Sequence, residues 1–183
     1  MKTLSFVIFG LAALGQWLVP LTGIMQHEQT LDKGTLFKLQ CSAPDPYDPL
    51  RGRFLAVRPE QREVTVPAGL KLQKGMQVYA TLTTATDGLA SITSLSLTPP
   101  TSGAFIRLKS GYVNSEKTQI QWPFDRFYIN EKLAPEADKW FTENIRNAKG
   151  IIAEVRVLKG RAVLADLSFD GRPFREILKE REL

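Results

Sequence analysis

The chain is poor in the side chains on which most enzyme mechanisms depend. Its 183 residues include one cysteine, Cys41, and one histidine, His27. A single cysteine excludes an intramolecular disulfide, so the fold has to be stabilised by a hydrophobic core. Cys41 lies in an apolar alternation, where a free cysteine usually behaves as a small hydrophobic residue. A nucleophilic cysteine would need a basic partner, and His27 lies close to the N-terminal apolar stretch, so we expect no catalytic role for Cys41.

Motifs for hydrolysis, phosphate binding and zinc binding are missing as well. The sequence contains no G-x-S-x-G, no S-x-x-K, no glycine-rich phosphate loop and no cluster of cysteine and histidine. We therefore expect a non-enzymatic protein with no catalytic residue, no bound metal and no cofactor.

A serine–lysine hydrolase of the envelope is the enzymatic alternative. The segment RGRFLAV, in a β-rich chain with an N-terminal apolar stretch, is loosely similar to signal peptidases. The residue types that such an enzyme uses are present at Lys109, Ser110, Ser115 and Lys149. None of them lies in that family's serine or lysine motif, so we interpret them as solvated loop and edge residues.

A concentrated run of basic residues is also lacking. The net charge is +5, but the basic residues are scattered among acidic ones, whereas nucleic-acid binding needs a basic stripe. No nucleic-acid partner is therefore expected. One region is locally basic, with Arg51, Arg53, Arg58, Arg62, Lys71 and Lys74. We interpret it as a solvated face, and a surface that lies against anionic lipid headgroups is the alternative.

A long uncharged stretch runs from Leu4 to Met25. Its length matches the roughly 20 helical residues that cross a bilayer core, so we predict a transmembrane helix within an N-terminal anchor of residues 1–30. A cleaved signal peptide is the alternative, because residues 13–15 resemble a cleavage site, but the apolar run continues beyond them. A buried helix of a globular domain would normally show a polar face, and only Gln16 interrupts this stretch.

The charges around this stretch predict its orientation. Lys2 precedes it, and residues 27–33 that follow it carry no positive excess. The positive-inside rule therefore places the N-terminus in the cytoplasm. We expect a single-pass protein of the inner (plasma) membrane, in contact with the lipid bilayer, whose residues 31–183 form an extracytoplasmic, periplasmic domain.

Beyond residue 30 the pattern changes to the alternation that is typical of β-strands. Helical spacing appears twice, at 134–146 with Trp140 on its apolar side and at 174–183. These patterns predict an α+β, β-rich fold class, in which a transmembrane helix precedes a mostly antiparallel β domain with one or two short helices. The strands form two groups, before Pro99 and after Gly103, which suggests two sub-sheets or two halves of one sandwich.

Two hairpins are predicted from their turns, Asp87-Gly88 and Lys159-Gly160. Alternation assigns the buried face of each arm. In the first hairpin these faces are Met76, Val78, Ala80 and Leu82 opposite Leu89, Leu95 and Leu97. In the second they are Ile151, Ala153, Val155 and Val157 opposite Val163, Ala165, Leu167 and Phe169.

The segment APDPYDPLRGRFLAV, residues 43–57, places three prolines close to two aspartates. Proline cannot donate a ladder hydrogen bond and restricts the residue before it, so Asp45 and Asp48 are pushed toward extended or turn geometry. Gly52 then allows a positive φ before the strand. We predict a rigid crossing between two strands. A calcium site at Asp45 and Asp48 is the alternative, but further oxygen ligands at regular spacing are missing.

The same crossing carries a resemblance to a known family. The DPYDPLRG crossing and GRFLAV strand resemble those of the bacterial GDYXXLXY protein family, as do WPFDRFYINEKLAPEA and AEVRVLKGRAVLADLSFDGRPF in the second half. Arg53 and Pro59 stand where the family motif has its aspartate and final tyrosine, and Val57 stands where it has leucine. The residues that match the motif region are Asp45, Asp48, Arg51, Gly52, Phe54 and Val57.

The resemblance implies a small membrane-anchored bacterial protein with no established activity. Members are often encoded beside polytopic membrane proteins, which implies an interaction or accessory subunit of a membrane-protein complex. A ligand-binding β domain is a further alternative, with a cleft at Trp122, Phe124, Asp125, Arg126 and Tyr128. Aromatic stripes of this kind more often belong to a core, so no small-molecule ligand is expected.

Overall fold

The computed structural model describes residues 2–42, 54–114, 116–130, 132–144 and 150–181. The predicted β-rich, mostly antiparallel domain is confirmed. The helices are α1 (Lys2–Lys33), α2 (Ala134–Asn144) and α3 (Phe174–Arg181). The strands are β1 (Thr35–Ser42), β2 (Phe54–Ala56), β3 (Arg58–Pro59), β4 (Glu63–Thr65), β5 (Gln77–Thr84), β6 (Ala90–Ser96), β7 (Phe105–Val113), β8 (Lys117–Gln121), β9 (Arg126–Tyr128), β10 (Ile151–Leu158), β11 (Arg161–Phe169) and β12 (Arg172–Pro173).

The strands form two five-stranded sheets and one two-stranded sheet. The first five-stranded sheet has the order β12-β11-β10-β1-β3, the second has the order β4-β8-β7-β5-β6, and β2 pairs with β9. The prediction of two groups divided near residue 100 is therefore wrong. β7 and β8 join the sheet of β5, and β1 pairs with β10, because strand partners are chosen by packing between distant segments that periodicity does not encode.

The first sheet is built around β10, which lies between β1 and β11. The turn at Lys159-Gly160 is confirmed, since both residues have positive φ, 49° and 81°, as a type I′ hairpin turn requires. An extra residue in β11 then interrupts the pairing, because Glu154 faces Asp166 whereas Val155 faces Leu164.

This bulge corrects the predicted inner face of β11. Leu167 and Phe169 pair with the inner-face residues Ala153 and Ile151 of β10, as expected. On the other side of the bulge, the residues that pair with the inner face of β10 are Ala162 and Leu164. Val163 is buried as predicted, but it pairs with Arg156 and so points to the other side of the sheet, whereas Ala165 is only half-buried. A bulge shifts the alternation by one residue, which a strict period of two cannot anticipate.

The Asp87-Gly88 hairpin in the second sheet is confirmed, and it contains a bulge as well. Leu82 faces Ile92 whereas Thr81 faces Ser94, so one residue of β6 is unpaired. The buried residues of β6 are consequently Ala90, Ile92 and Leu95. Leu97, which was expected on the buried face with Leu89, is 41% exposed.

The helices α2 and α3 pack their apolar sides on the first sheet. Trp140 of α2 is buried, as predicted, and the residues beyond 144 that were expected to continue this helix lie outside the described ranges. In α3 the inward positions are Phe174, Ile177 and Leu178, which confirms the expected closing helix. An aromatic cluster of Phe127, Trp140, Phe169 and Phe174 joins β9, α2, β11 and α3.

The C-terminal end of α1 packs on β10 and β11. Thr30 is buried there, and its carbonyl oxygen accepts a hydrogen bond from the N–H of Gly34 at 3.0 Å. A side chain at position 34 would collide with the same carbonyl oxygen, so only glycine fits between the helix and β10. Arg156 completes the junction, because its Nη1 donates to the carbonyl oxygen of Gly34 at 3.0 Å.

Further toward its N-terminus, α1 carries apolar side chains that no described part of the chain covers. The exposed ones are Phe9, Trp17, Leu18, Val19, Leu21, Ile24 and Met25. Within the described residues, no helix combines the length and the apolar character that crossing a membrane requires.

Candidate functional site

A groove of about 890 Å³ opens beside the end of α1. One wall is formed by α1 residues from Gln26 to Thr30, and the opposite wall by the turn between β10 and β11. The remaining sides are lined by residues 123–124 and 126–128, by Arg107 of β7 and by Arg175 of α3. The groove therefore lies where the N-terminal helix, both five-stranded sheets and α3 meet.

Every charged residue that lines the groove is basic. No aspartate or glutamate is among the lining residues, and the basic ones are Arg107, Arg126, Lys159, Arg161 and Arg175. Arg126 lies 3.6 Å from Asp125 and Arg175 lies 3.8 Å from Asp166, so two of these charges are partly balanced from behind. Among the described residues, no carboxylate lies within ion-pair distance of the other three.

The β10–β11 turn positions three of these cations. Because Lys159 and Gly160 complete a two-residue turn, the side chains of residues 159 and 161 come to the end of the hairpin that faces α1. The carbonyl oxygen of Gly160 accepts a hydrogen bond from the N–H of Arg107 at 2.8 Å, which ties β7 to the same turn. The guanidinium of Arg161 donates to the side-chain oxygen of Gln26 on α1.

The other side of the groove is aromatic. Phe127 is buried beneath Arg175, whose guanidinium carbon lies 5.6 Å from the ring centroid. Tyr128 is exposed, and Arg126 stacks over Phe54 at 4.7 Å. Cation–π contacts of this kind hold a guanidinium in place without neutralising it.

The carboxyl group behind this wall has a perturbed pKa. Burial raises the pKa of Asp166 above its usual value, while the N–H of Leu167 and the Arg175 guanidinium act in the opposite direction. Burial thus opposes ionisation of Asp166, and the neighbouring Arg175 guanidinium partly offsets this effect.

The structure places the five residues of the predicted cleft in different surroundings. Phe124, Arg126 and Tyr128 line the groove together with Phe127. Trp122 does not line the groove but lines two smaller pockets. Its indole N–H donates a hydrogen bond to the carbonyl oxygen of Gln61 at 3.1 Å.

Asp125, the fifth residue of the predicted cleft, forms an ion pair with Arg126 but does not line the groove. The Asp125 side chain is 78% exposed and the Arg126 side chain 41%. Exposed pairs of this kind contribute little to stability, so Asp125 mainly moderates the charge of Arg126.

The described part of the family-motif region, residues 54–57, packs against residues 125–128. Phe54 faces Tyr128 across the β2–β9 ladder, with ring centroids 6.0 Å apart. Val57 is buried, and its N–H donates to the carbonyl oxygen of Asp125 at 2.8 Å. The other residues singled out in that region, Asp45, Asp48, Arg51 and Gly52, lie outside the described residues, as does the calcium alternative.

The groove cations other than Arg126 were missed from the sequence, in which a different basic region stood out. Of that region Arg58, Arg62, Lys71 and Lys74 are described, and all are exposed and lie outside the groove. The groove draws its charges from β7, β9, the β10–β11 hairpin and α3, so no local run reveals it. The one local indication was the Lys159-Gly160 turn, which predicts that residues 159 and 161 lie together.

The serine and lysine residues of the hydrolase alternative are partly described. Ser110 is fully buried, and its hydroxyl donates to the carbonyl oxygens of Gln73 at 2.5 Å and Met76 at 3.2 Å. Lys109 is exposed on the opposite face of β7. Ser115 and Lys149 lie outside the described residues. Ser110 is thus held as a structural hydrogen-bond donor.

The buried position of Cys41 disfavours the thiolate, which is the reactive form of a cysteine. Burial raises the pKa of its thiol to about 12 from an ordinary value of 9.0. Because the folded pKa exceeds the unfolded one, the associated stability is fully present below pH 9.0 and is lost as the pH rises toward 12.

Alkylation of Cys41 should therefore report unfolding. At pH 8 we expect iodoacetamide to label the folded chain about a thousandfold more slowly than the urea-unfolded chain, because only the thiolate reacts. Mass spectrometry over time measures both rates, and Cys41→Ser is the control without a reactive thiol. Equal rates would contradict the buried position.

Comparison with known proteins is informative at the level of the family. The family model described as GDYXXLXY protein matches residues 16–167, which is most of the chain and includes all of the groove residues except Arg175. The predicted resemblance is confirmed. Comparisons with curated proteins and with solved structures found no match.

Proposed function

Because the chain belongs to the GDYXXLXY protein family, we propose that it is a membrane-anchored, non-enzymatic accessory domain of a membrane-protein complex. The observation that carries the proposal is the apolar surface of α1, which the described part of the domain leaves uncovered. Large exposed apolar surfaces mark sites of contact with a membrane or a partner. The proposed partner is a polytopic membrane protein.

Although no helix within the described residues meets the requirements of a membrane span, the length of the uncharged stretch in the sequence favours the bilayer as the occupant of this surface. The uncharged part of α1, from Leu4 to Met25, is about 30 Å long at 1.5 Å per residue, similar to the hydrocarbon core. The helix has 32 residues and continues through Pro20, which neighbouring groups in a membrane can accommodate. In this arrangement the N-terminus is cytoplasmic, and the β domain lies on the periplasmic side of the inner membrane.

Alkaline carbonate extraction tests the anchor. The full-length chain, expressed in bacterial cells, should remain in the membrane pellet. Replacing Trp17 and Leu18, the exposed large apolar residues nearest the middle of the stretch, by arginine should release much of it, because an arginine at the centre of a span costs about 2.5–3.5 kcal/mol of insertion free energy. The matched control replaces Leu97 and Tyr112, which are exposed on the β domain, by arginine as well, and it should leave the chain in the pellet.

Release of the unaltered, full-length chain by carbonate would overturn the anchor. N-terminal sequencing of the same material separates anchoring from processing, since a mature start after residue 15 would identify a cleaved signal peptide. Crosslinking in gentle detergent followed by mass spectrometry identifies the neighbours, and a polytopic protein is expected among them. Covalent labelling of one specific serine by a fluorophosphonate would refute the non-enzymatic assignment.

A further inference from the structure

The groove beside α1 concentrates like charges that the protein itself does not neutralise. Its cations come from segments far apart in the chain, and Arg107, Lys159 and Arg161 have no described carboxylate within ion-pair distance. Bringing such charges together is unfavourable through mutual repulsion, and the low-dielectric walls strengthen the positive field inside the groove. An anion bound there would remove this repulsion.

The position of the groove narrows the choice of anion. Its α1 wall begins at Gln26 and His27, directly after the exposed apolar residues Ile24 and Met25. In an anchored chain, the end of the apolar stretch marks the depth at which hydrocarbon gives way to headgroups. The groove would then open at the level of the lipid phosphates.

The side chains of the groove suit a phosphodiester. Arginine presents a planar fork of N–H donors that matches two phosphate oxygens, and Arg107, Arg126 and Arg161 all line the groove. The exposed Tyr128 at its rim is a residue type enriched at membrane–water interfaces.

We propose that this basic groove binds the phosphate headgroup of an anionic lipid of the phosphatidylglycerol class. The inference rests on the proposed membrane anchoring of α1, which brings the groove to the headgroup layer. It adds to that function a defined lipid contact, which would orient the β domain on the membrane surface.

Titration calorimetry on the full chain in dodecyl maltoside micelles tests the proposal. Dihexanoylphosphatidylglycerol should bind, whereas dihexanoylphosphatidylcholine and inorganic phosphate should bind at least about tenfold more weakly, because phosphatidylcholine has no net charge and inorganic phosphate lacks the glycerol body and the acyl chains. The triple variant Arg107→Gln, Lys159→Gln, Arg161→Gln should weaken phosphatidylglycerol binding on the order of a hundredfold.

The matched control removes the same charge elsewhere. Arg58→Gln, Lys71→Gln, Lys74→Gln changes exposed residues outside the groove and should alter the affinity by less than about threefold. Equal weakening by both triple variants would overturn the groove as a site. Should circular dichroism show the groove variant unfolded, Arg107→Gln alone decides the question.

Three further outcomes would also overturn the proposal. They are the absence of phosphatidylglycerol binding, equally tight binding of inorganic phosphate, and tight binding of a deca-glutamate peptide in its place. Carbonate extraction keeps the two proposals separable. Loss of the lipid site with retention in the pellet refutes the groove alone, whereas release of the unaltered chain refutes the anchor.

Discussion

Replacing Phe174 by alanine is expected to lower the free energy of unfolding by about 3–5 kcal/mol. The Phe174 side chain is fully buried at the start of α3. Its ring centroid lies 5.1 Å from that of Phe169 and 5.4 Å from that of Trp140, in tilted and edge-to-face arrangements. Alanine would leave a cavity where α2, α3 and β11 meet. It would also remove the ring contacts that Trp140 and Phe169 each make with Phe174.

Urea unfolding of the detergent-solubilised chain, followed by far-UV circular dichroism, measures this loss. Tyr112→Ala is the control, since Tyr112 is 68% exposed on β7 and its removal should change stability by less than about 0.5 kcal/mol. Phe174→Leu retains most of the volume and should cost about 1.5 kcal/mol. A loss below 1 kcal/mol for the alanine variant, on the order of the control, would show that α3 does not hold the core as described.

Replacing Gly160 by alanine is expected to cost about 2–4 kcal/mol through two separate effects. Gly160 has a φ of 81°, where a side chain is strained by its own backbone. A Cβ there would also lie 2.6 Å from the ring of Phe105, so either this half-buried ring or the β10–β11 turn would have to shift. A shift of the turn would weaken the hydrogen bond from the backbone N–H of Arg107 to the carbonyl oxygen of Gly160, and it would displace Lys159 and Arg161 on either side of Gly160.

The chain contains a matched control for the backbone effect. Gly88 has a φ of 82° in the other hairpin turn, but a Cβ added there meets no atom within 4 Å. Gly88→Ala should therefore cost only the strain of about 1–2 kcal/mol. The difference between the two variants measures the collision with Phe105, and a double-mutant cycle with Phe105→Ala should recover part of it. Equal losses would place Phe105 away from the turn.

Sequence reasoning succeeded where local chemistry decides the structure. Asp87-Gly88 and Lys159-Gly160 are dipeptides that accept positive φ, so both hairpins were predicted with their turns in place. The closing helix followed from the spacing of Phe174, Ile177 and Leu178. The buried faces predicted from alternation were wrong beyond the two bulges, because an unpaired residue in β6 or β11 reverses the alternation without any change of composition.

The candidate site was predictable only in part, for a related reason. The aromatic segment around Phe124 and Tyr128 was recognised because its residues are adjacent in the chain. Arg107, Arg161 and Arg175 were missed because they come from three distant segments of the chain and none lies in a basic run of the sequence. Their proximity exists only after β7, the β10–β11 hairpin and α3 have packed together.

The sequence by itself determined the β-rich class, the two tight turns, the apolar setting of the single cysteine and the family, since each depends on residue type or on neighbours a few positions apart. Tertiary structure alone decided which strands are partners, which faces the bulges bury, and that scattered cations converge on one groove. The physical reason is range. Backbone propensity and turn chemistry act within a few residues, whereas burial and charge density depend on segments that meet only when the whole core has formed.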